Sequence, residues 1–274
     1  MPGPAQDPRD AVYRDLHHNY LPRAEESNRF SAQTILPMVF RHLQPKSVLD
    51  VGCGMGTWLQ ACKGLGVETV QGIEGPWLDR SQLVIANELV QVLDLEQPFD
   101  LGRRYDMVIS TEVAEHLSPA AASTFLQSLA RHADAVLFSA AIPFQPGHHH
   151  VNEQFPDYWA SIFRACGYVP LDFIRREIWT NEYIILHFRQ NLMLFVKEEL
   201  TKEHGCFSGL NASYGPLSIV HPAFYRWRLG ELLKTEAEHA KLAAEHAKLL
   251  EVLGSGTAFR VERKGGQLVI TRTG

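Results

Sequence analysis

Two carboxylates and an imidazole fall within one short run, Ile109-Ser-Thr-Glu-Val-Ala-Glu-His-Leu117, at Glu112, Glu115 and His116. On a helix, residues three or four apart share a face, so this spacing predicts that Glu112 points the same way as Glu115 and His116. Such a trio is half of a metal site. Downstream, His148, His149 and His150 supply imidazoles that could complete the coordination. Upstream, Val48-Leu-Asp-Val-Gly-Cys-Gly-Met-Gly56 places Asp50 at the end of an apolar run and three glycines at alternate positions in the turn that follows. Glycine lets the backbone approach a ligand closely, and the next helix offers free N–H groups, so the turn suits a nucleotide-like cofactor.

These residues need a rigid frame, and the pattern along the chain implies one. Short apolar runs at 47–51, 69–73, 89–93, 107–109 and 135–139 alternate with helical patterns, which predicts parallel strands joined by crossover helices. A helical pattern over 156–166 precedes two aromatic and β-branched runs, 168–173 and 182–196, expected as closing strands in hairpin-like succession. The sum is an α/β fold, a doubly wound, seven-stranded and mostly parallel sheet. Residues 10–43 read as helical, with Phe30, Ile35, Leu36, Val39, Phe40 and Leu43 recurring before Pro45.

The last part of the chain differs in character. Residues 230–253 carry Ala237-Glu-His-Ala-Lys-Leu242 and its copy Ala244-Glu-His-Ala-Lys-Leu249 one heptad later, the pattern of an amphipathic helix or short coiled coil. An alternating run from Phe259 predicts a small hairpin turning at Gly265-Gly266. The expected organisation is an N-terminal helical cap (1–46), a cofactor-binding domain (47–200), a connector (201–229) and the C-terminal helix with its hairpin (230–274). That helix could hold a homodimer or dock onto a neighbouring enzyme, the alternative being a lone solvated helix.

Composition narrows the classes. The 274 residues, 45% hydrophobic, suffice for one large domain with an appendage, and a formal net charge of −5 spread in both signs argues against a nucleic-acid partner. Cys53, Cys62, Cys166 and Cys206 show no paired spacing, as expected of free thiols in a reducing compartment. The polar, proline-rich start lacks a secretory signal, and no apolar stretch approaches the roughly 20 residues that span a bilayer. The expected location is cytoplasmic, with no membrane insertion.

A nicotinamide fingerprint wants G-x-G-x-x-G, but counting from Gly52 the third glycine comes one place early and Thr57 stands in its position. The spacing instead resembles motif I of the class I S-adenosylmethionine-dependent methyltransferases, over Ser47 to Val196. The resemblance implies a Rossmann-like methyltransferase fold in which Asp50 supports the turn and Gly52 and Gly54, with Cys53 between them, line the methionine portion of S-adenosyl-L-methionine. It further implies that Glu74, in Gly72-Ile-Glu-Gly75, accepts from the ribose hydroxyls. Asp94, followed by Leu95, would meet the adenine amino group.

The element Glu112-Val-Ala-Glu115-His116 resembles one carried by the ubiquinone-biosynthesis O-methyltransferases and the small-RNA 2′-O-methyltransferases, which coordinate a divalent ion with it. His150-Val-Asn-Glu-Gln-Phe-Pro-Asp-Tyr-Trp159 looks like the segment that brings a further histidine in the small-RNA group. The implied ligands are Glu112, Glu115, His116 and His150, with His148 and His149 as substitutes, around Mn2+ or Mg2+. Two imidazoles suit manganese, iron, cobalt or zinc better than magnesium.

A divalent ion lowers the pKa of a hydroxyl and fixes its direction, which is what methyl transfer to an alcohol requires. One ion is chelated by two adjacent oxygens, so the expected acceptor is a small molecule or glycan with a vicinal diol. A histidine of the 148–150 run, His149 or His148 where His150 is a ligand, would serve as general base. Asn152, Glu153, Tyr158 and Trp159 are candidate substrate contacts, and His17, His18, Tyr20 and Arg23 candidate residues for closing the site. The closing region around Trp179 loosely resembles bacterial methyltransferases that decorate polysaccharides, which favours carbohydrate over a catechol, an RNA or a non-catalytic scaffold role.

Overall fold

A computed structural model of the chain describes residues 21–202, 205–210, 212–213, 215–254, 259–264 and 267–272. Two compact units divide at His221 and Pro222. The first is built on a seven-stranded sheet: β1 (Ser47–Val51), β2 (Thr69–Glu74), β3 (Val90–Val92), β4 (Met107–Thr111), β5 (Ala135–Ser139), β6 (Tyr168–Leu171) and β7 (Met193–Lys197). Their order is β3-β2-β1-β4-β5-β7-β6, with β7 antiparallel to both of its neighbours and the remaining pairings parallel.

The strands bury on both faces, which is why they read as continuous apolar runs rather than alternating ones. Val48, Leu49 and Val51 of β1 have no exposed surface, and Val136, Leu137, Leu194 and Phe195 are equally enclosed. One face is covered by α1 (Leu21–Phe40), where Ala32, Ile35, Leu36 and Val39 fall on a single buried stripe at helical spacing. α2 (Thr57–Gly64) shares that layer. The opposite layer holds α3 (Ala122–His132) and α4 (Pro156–Ala165), whose Phe125, Trp159 and Phe163 pack toward Phe138 and Phe195.

From β1 the chain winds outward through β2 and β3, then returns to place β4 on the other side of β1. The carboxyl ends of β1 and β4 therefore flank the point where winding reverses, the crevice in which doubly wound sheets bind ligands. The glycine turn follows β1 and Glu112 follows β4, so the topology brings the two halves of the predicted site together.

One expected element is corrected. The run 182–196 is not a single strand: α6 (Leu186–Asn191) precedes β7, and α5 (Ile174–Ile178) lies between β6 and α6. Ile185, Phe188 and Leu192 recur at helical spacing, and their burial against the α1 layer outweighs the β-branched composition of the run. The last two strands pair antiparallel but are joined by helices instead of a tight hairpin.

In the second unit, α7 spans Pro222–Gly254, beginning upstream of the expected residue 230. β8 (Phe259–Lys264) and β9 (Gln267–Arg272) form the predicted hairpin, with Lys264 opposite Gln267. The turn at 265–266 lies outside the described residues. No helix among the described residues is long and apolar enough to cross a membrane.

Candidate active site

A cavity of about 440 Å³ opens at the switch point, bounded by residues from the carboxyl ends of β1 to β5. Gly52, Gly54 and Gly56 all adopt left-handed backbone, with φ of 76°, 54° and 84°. At Gly52 the requirement is twofold, because a Cβ there would also lie 2.3 Å from Cγ2 of Val113. Val113 sits between the two carboxylates of the Glu-x-x-Glu-His element, so the glycine turn and that element are in direct contact. Gly52 and Cys53 donate backbone N–H groups to the Ile73 carbonyl at 2.8 and 3.0 Å.

Glu74, buried at the end of β2, accepts from the Gly54 N–H (2.7 Å), the Gly75 N–H (2.8 Å) and the Trp77 indole (3.1 Å). Three donors fix the carboxylate at the cavity edge. Asp50 lies behind the turn, 2% exposed, with no donor on Oδ2; burial first, and then the charge of Glu74, raise its carboxyl well above the ordinary range. Asp94 and Leu95 line the cavity beyond β3, and the Asp94 side chain caps the Glu96 N–H at 3.1 Å.

After β4 the predicted helix does not form. Glu112 takes left-handed backbone, φ 56°, and Ala114–His116 make a single 3₁₀ turn. Pro119 disfavours helical backbone at Ser118, so α3 starts only at Ala122. The consequence is a split of the expected quartet. The Glu112 carboxylate turns to the amides of Gln145 (2.6 Å) and Asn191 (3.2 Å), whereas Glu115, His116 and His150 each direct one ligating atom to a common point, all within 4.8 Å of one another.

Glu115 is fully buried, and no donor reaches either of its oxygens with hydrogen-bond geometry. Burial, then repulsion from Glu112, push its carboxyl well above the usual carboxylate range. His116 is driven the other way, to about 4, by burial first and then by the neighbouring His150 ring, which disfavours a second cation beside it. An imidazole that stays neutral across the physiological range keeps a nitrogen lone pair available as an acceptor.

Both imidazoles are held by their other nitrogen. Nδ1 of His116 donates to the His149 carbonyl at 3.3 Å, and Nδ1 of His150 donates to Oε1 of Glu153 at 2.9 Å. Each ring is thereby fixed in the tautomer that presents Nε2 as the acceptor nitrogen, the arrangement typical of metal-ligating histidines. The loop is clamped as well: Val151 and Asn152 donate N–H groups to the Glu115 carbonyl at 2.9 and 3.0 Å, and Phe144 donates to Oε2 of Glu153 at 2.7 Å. Among the described residues, the non-glycine positions with left-handed backbone are Glu112, Phe144 and His149. All three lie in the two segments that build this cluster, where such strain is held by surrounding contacts.

Residues 20–183 match the sequence model of a family described as a methyltransferase domain. The chain belongs to that methyltransferase family. Its fold is shared with human N-acetylserotonin methyltransferase, solved in complex with SAM, at 14% identity and a TM-score of 0.50, over 71% of this chain and 60% of that one. Two further similar structures are DesVI of Streptomyces venezuelae (17% identity, TM-score 0.46, 70% of this chain and 99% of that one) and the sugar N-methyltransferase KedS8 of Streptoalloteichus sp ATCC 53650 (16%, 0.48, 72% and 96%). At these identities the likeness establishes the fold alone. No curated protein sequence matches the chain.

Within this methyltransferase, Gly52, Cys53, Glu74, Asp94, Leu95, Glu112, Glu115, His116 and His150 line one cavity, while Asp50 and Gly54 do not line it. His149 does not line it: its backbone is left-handed and its side chain exposed, so its contribution is the carbonyl that holds His116. His148 is the neighbour that reaches the wall. None of Asn152, Glu153, Tyr158 and Trp159 lines the cavity. Trp159 is core, 1% exposed against Phe138, and Glu153 is spent on His150 and Phe144. His17, His18, Tyr20 and the side chain of Arg23 lie outside the described residues. Sequence reasoning missed Trp58, Trp77, His187 and Phe188, which form the aromatic part of the wall. Of these, Trp77 follows the strand-end acid so closely that its place beside Glu74 could have been read.

Proposed function

We propose that this methyltransferase transfers a methyl group from S-adenosylmethionine to a hydroxyl of a sugar, glycan or other vicinal-diol metabolite, with the help of a divalent cation. The observation that carries the reading is the convergence of Glu115, His116 and His150 in the cavity that also contains the glycine turn and Glu74. The residues fit a cation. Glu115 offers two buried oxygens that no donor meets with hydrogen-bond geometry, and both imidazoles have Nδ1 engaged by an acceptor. Ligand atoms sit roughly 2 Å from such an ion, hence about 3 Å from one another around it, so the trio, whose atoms lie within 4.8 Å of one another, would draw inward to hold it.

A cation held there supplies Lewis acidity that lowers the pKa of an acceptor hydroxyl. Mn2+ suits two imidazoles and a carboxylate better than Mg2+. Glu74, with one oxygen shared between Gly75 and Trp77, accepts from the ribose of the donor, as the fold shared with a SAM-bound relative supports. Trp58, Trp77 and Phe188 exclude water from the reacting groups, and His148 on the wall is the imidazole placed to accept the acceptor proton. Glu112, held by Gln145 and Asn191, borders the trio and adds negative charge beside it.

The aromatic wall favours one second reading, a catechol acceptor, which shares the chelating pair of oxygens. The test is methyl transfer to monosaccharides, nucleotide sugars and catechols, with chelator and with Mn2+ or Mg2+ restored. Loss of activity with chelator and recovery with metal on sugar diols is the expected result. A rate indifferent to chelator overturns the cation-dependent reading, and transfer confined to catechols transfers the assignment to phenols.

A further inference from the structure

A second cavity, about 1010 Å³, is more than twice the size of the first and shares no lining residue with it. It opens beyond the carboxyl end of β6, between α5, the turn at Trp179 and Thr180, and the residues around Ser213. Nothing in the methyl-transfer chemistry described above uses it.

Its floor is a planar polar surface. Arg175, 1% exposed, clasps Asp172 through Nε and Nη2, both at 2.6 Å, and donates from Nη1 to the Gln190 carbonyl at 3.0 Å. Arg175 and Asp172 are largely spent on one another, so the donors and acceptors a ligand meets come from the exposed lining side chains Thr180, Arg176 and Glu177. One wall is the Trp179 ring, buttressed by His221 at 4.4 Å between centroids. Thr180 and Arg176 stand exposed at the rim.

Charge and polarity select among ligands. Arg175 is neutralised by Asp172, and Glu177 is paired with Arg41 at 2.8 Å, which leaves Arg176 as the cavity's one cation without an ion-pair partner among the described residues. That is too little positive charge for a polyanion, and the ionic floor is too polar for a lipid chain. An aromatic plate beside side chains that both donate and accept suits a neutral polyhydroxylated ring. A volume at the top of the range for drug-sized ligands leaves room for more than one ring.

We propose that this cavity binds the non-reacting part of a neutral oligosaccharide. The inference rests on the carbohydrate reading of the acceptor. The two cavities meet through one helix: Gln190 of α6 is held by Arg175, while its neighbour Asn191 holds Glu112 and Phe188 lines the methyl-transfer cavity.

The test is binding, read separately from turnover. The full chain is labelled and applied to an array of neutral and acidic glycans, alongside Trp179→Ala and Thr180→Trp. Thr180→Trp obstructs the mouth from an exposed position without removing a packed residue, so it covers the case in which Trp179→Ala weakens the fold. Retention of neutral di- to tetrasaccharides by the wild type, with at least tenfold loss in Thr180→Trp and unchanged S-adenosylmethionine affinity, is the expected result. No retained neutral glycan, retention of acidic glycans alone, or binding that persists in both variants overturns it. Glu115→Ala leaves glycan retention intact on this proposal, so failure of the cation reading and failure of the second cavity are told apart.

Discussion

Nδ1 of His150 donates to Oε1 of Glu153 at 2.9 Å, and the second oxygen of the same carboxylate takes the Phe144 N–H at 2.7 Å. Glu153 thus ties both ends of the loop after β5 and sets the direction of the imidazole. It lines no part of the cavity, so its role is to position His150 rather than to touch a substrate.

Glu153→Ala is expected to weaken Mn2+ binding roughly 10- to 100-fold, the usual effect of removing the partner of a metal-ligating histidine. S-adenosylmethionine affinity is expected to stay at the wild-type value. Calorimetric titration of each ligand separates the two, and equal loss of both would show that Glu153 merely supports the fold.

The same cluster makes stability depend on pH in a definite sense. Without metal, the folded Glu115 carboxyl titrates well above its ordinary value of 4.5, because burial and Glu112 oppose its charge. A raised carboxyl contributes its full stability below the unfolded value and loses it as pH rises through the folded one. Glu115→Gln in chelator is therefore expected to melt above the wild type at pH 8, with the gap closing toward pH 4.5. Added Mn2+ is expected to raise the wild-type melting temperature and leave the variant unmoved. A variant less stable than wild type at pH 8 contradicts this account of the carboxylate.

Much of the frame was legible from pattern alone. The runs 47–51 and 135–139 are strands with those bounds, because strands buried on both faces leave continuous apolar signatures. Helical spacing after β4 misled, since a left-handed residue at Glu112 breaks the helix that the Glu-x-x-Glu-His arithmetic assumes. Nothing in the residue type at 112 announces that conformation. The run 182–196 misled for a different reason: Leu186–Asn191, with Phe188 buried, form a helix, and only Met193–Lys197 pair as a strand. The division of labour among the three histidines depended on loop geometry, and three identical neighbours carry no signal about which ring turns inward.

Loop geometry also exposes a silent glycine. Gly147 does not need left-handed backbone, yet a Cβ there would lie 2.1 Å from Nε2 and 2.2 Å from Cε1 of His150. Gly147→Ala is expected to displace the ring, lowering Mn2+ affinity more than tenfold while the melting temperature in chelator stays near wild type. Mn2+ binding unaffected by the methyl group would mean that His150 occupies another position when the ion is bound.

Glu74 supplies the converse test. Oε2 accepts from the Gly54 N–H, and Oε1 is shared between the Gly75 N–H and the Trp77 indole, so the carboxylate both braces the glycine turn and faces the cavity. Hydrogen bonds to an ionised acceptor are the stronger kind, and an amide at this position also brings a donor where the Gly54 and ribose donors need an acceptor. Glu74→Gln is expected to raise the S-adenosylmethionine Kd about tenfold or more, with Mn2+ affinity unchanged. Trp77→Phe removes the competing indole donor but keeps a ring over Gly75, so it is expected to bind S-adenosylmethionine at least as tightly as wild type. Weaker binding in Trp77→Phe would assign the indole N–H to holding the carboxylate in place, and with it the reason Trp77 stands three residues after the strand-end acid.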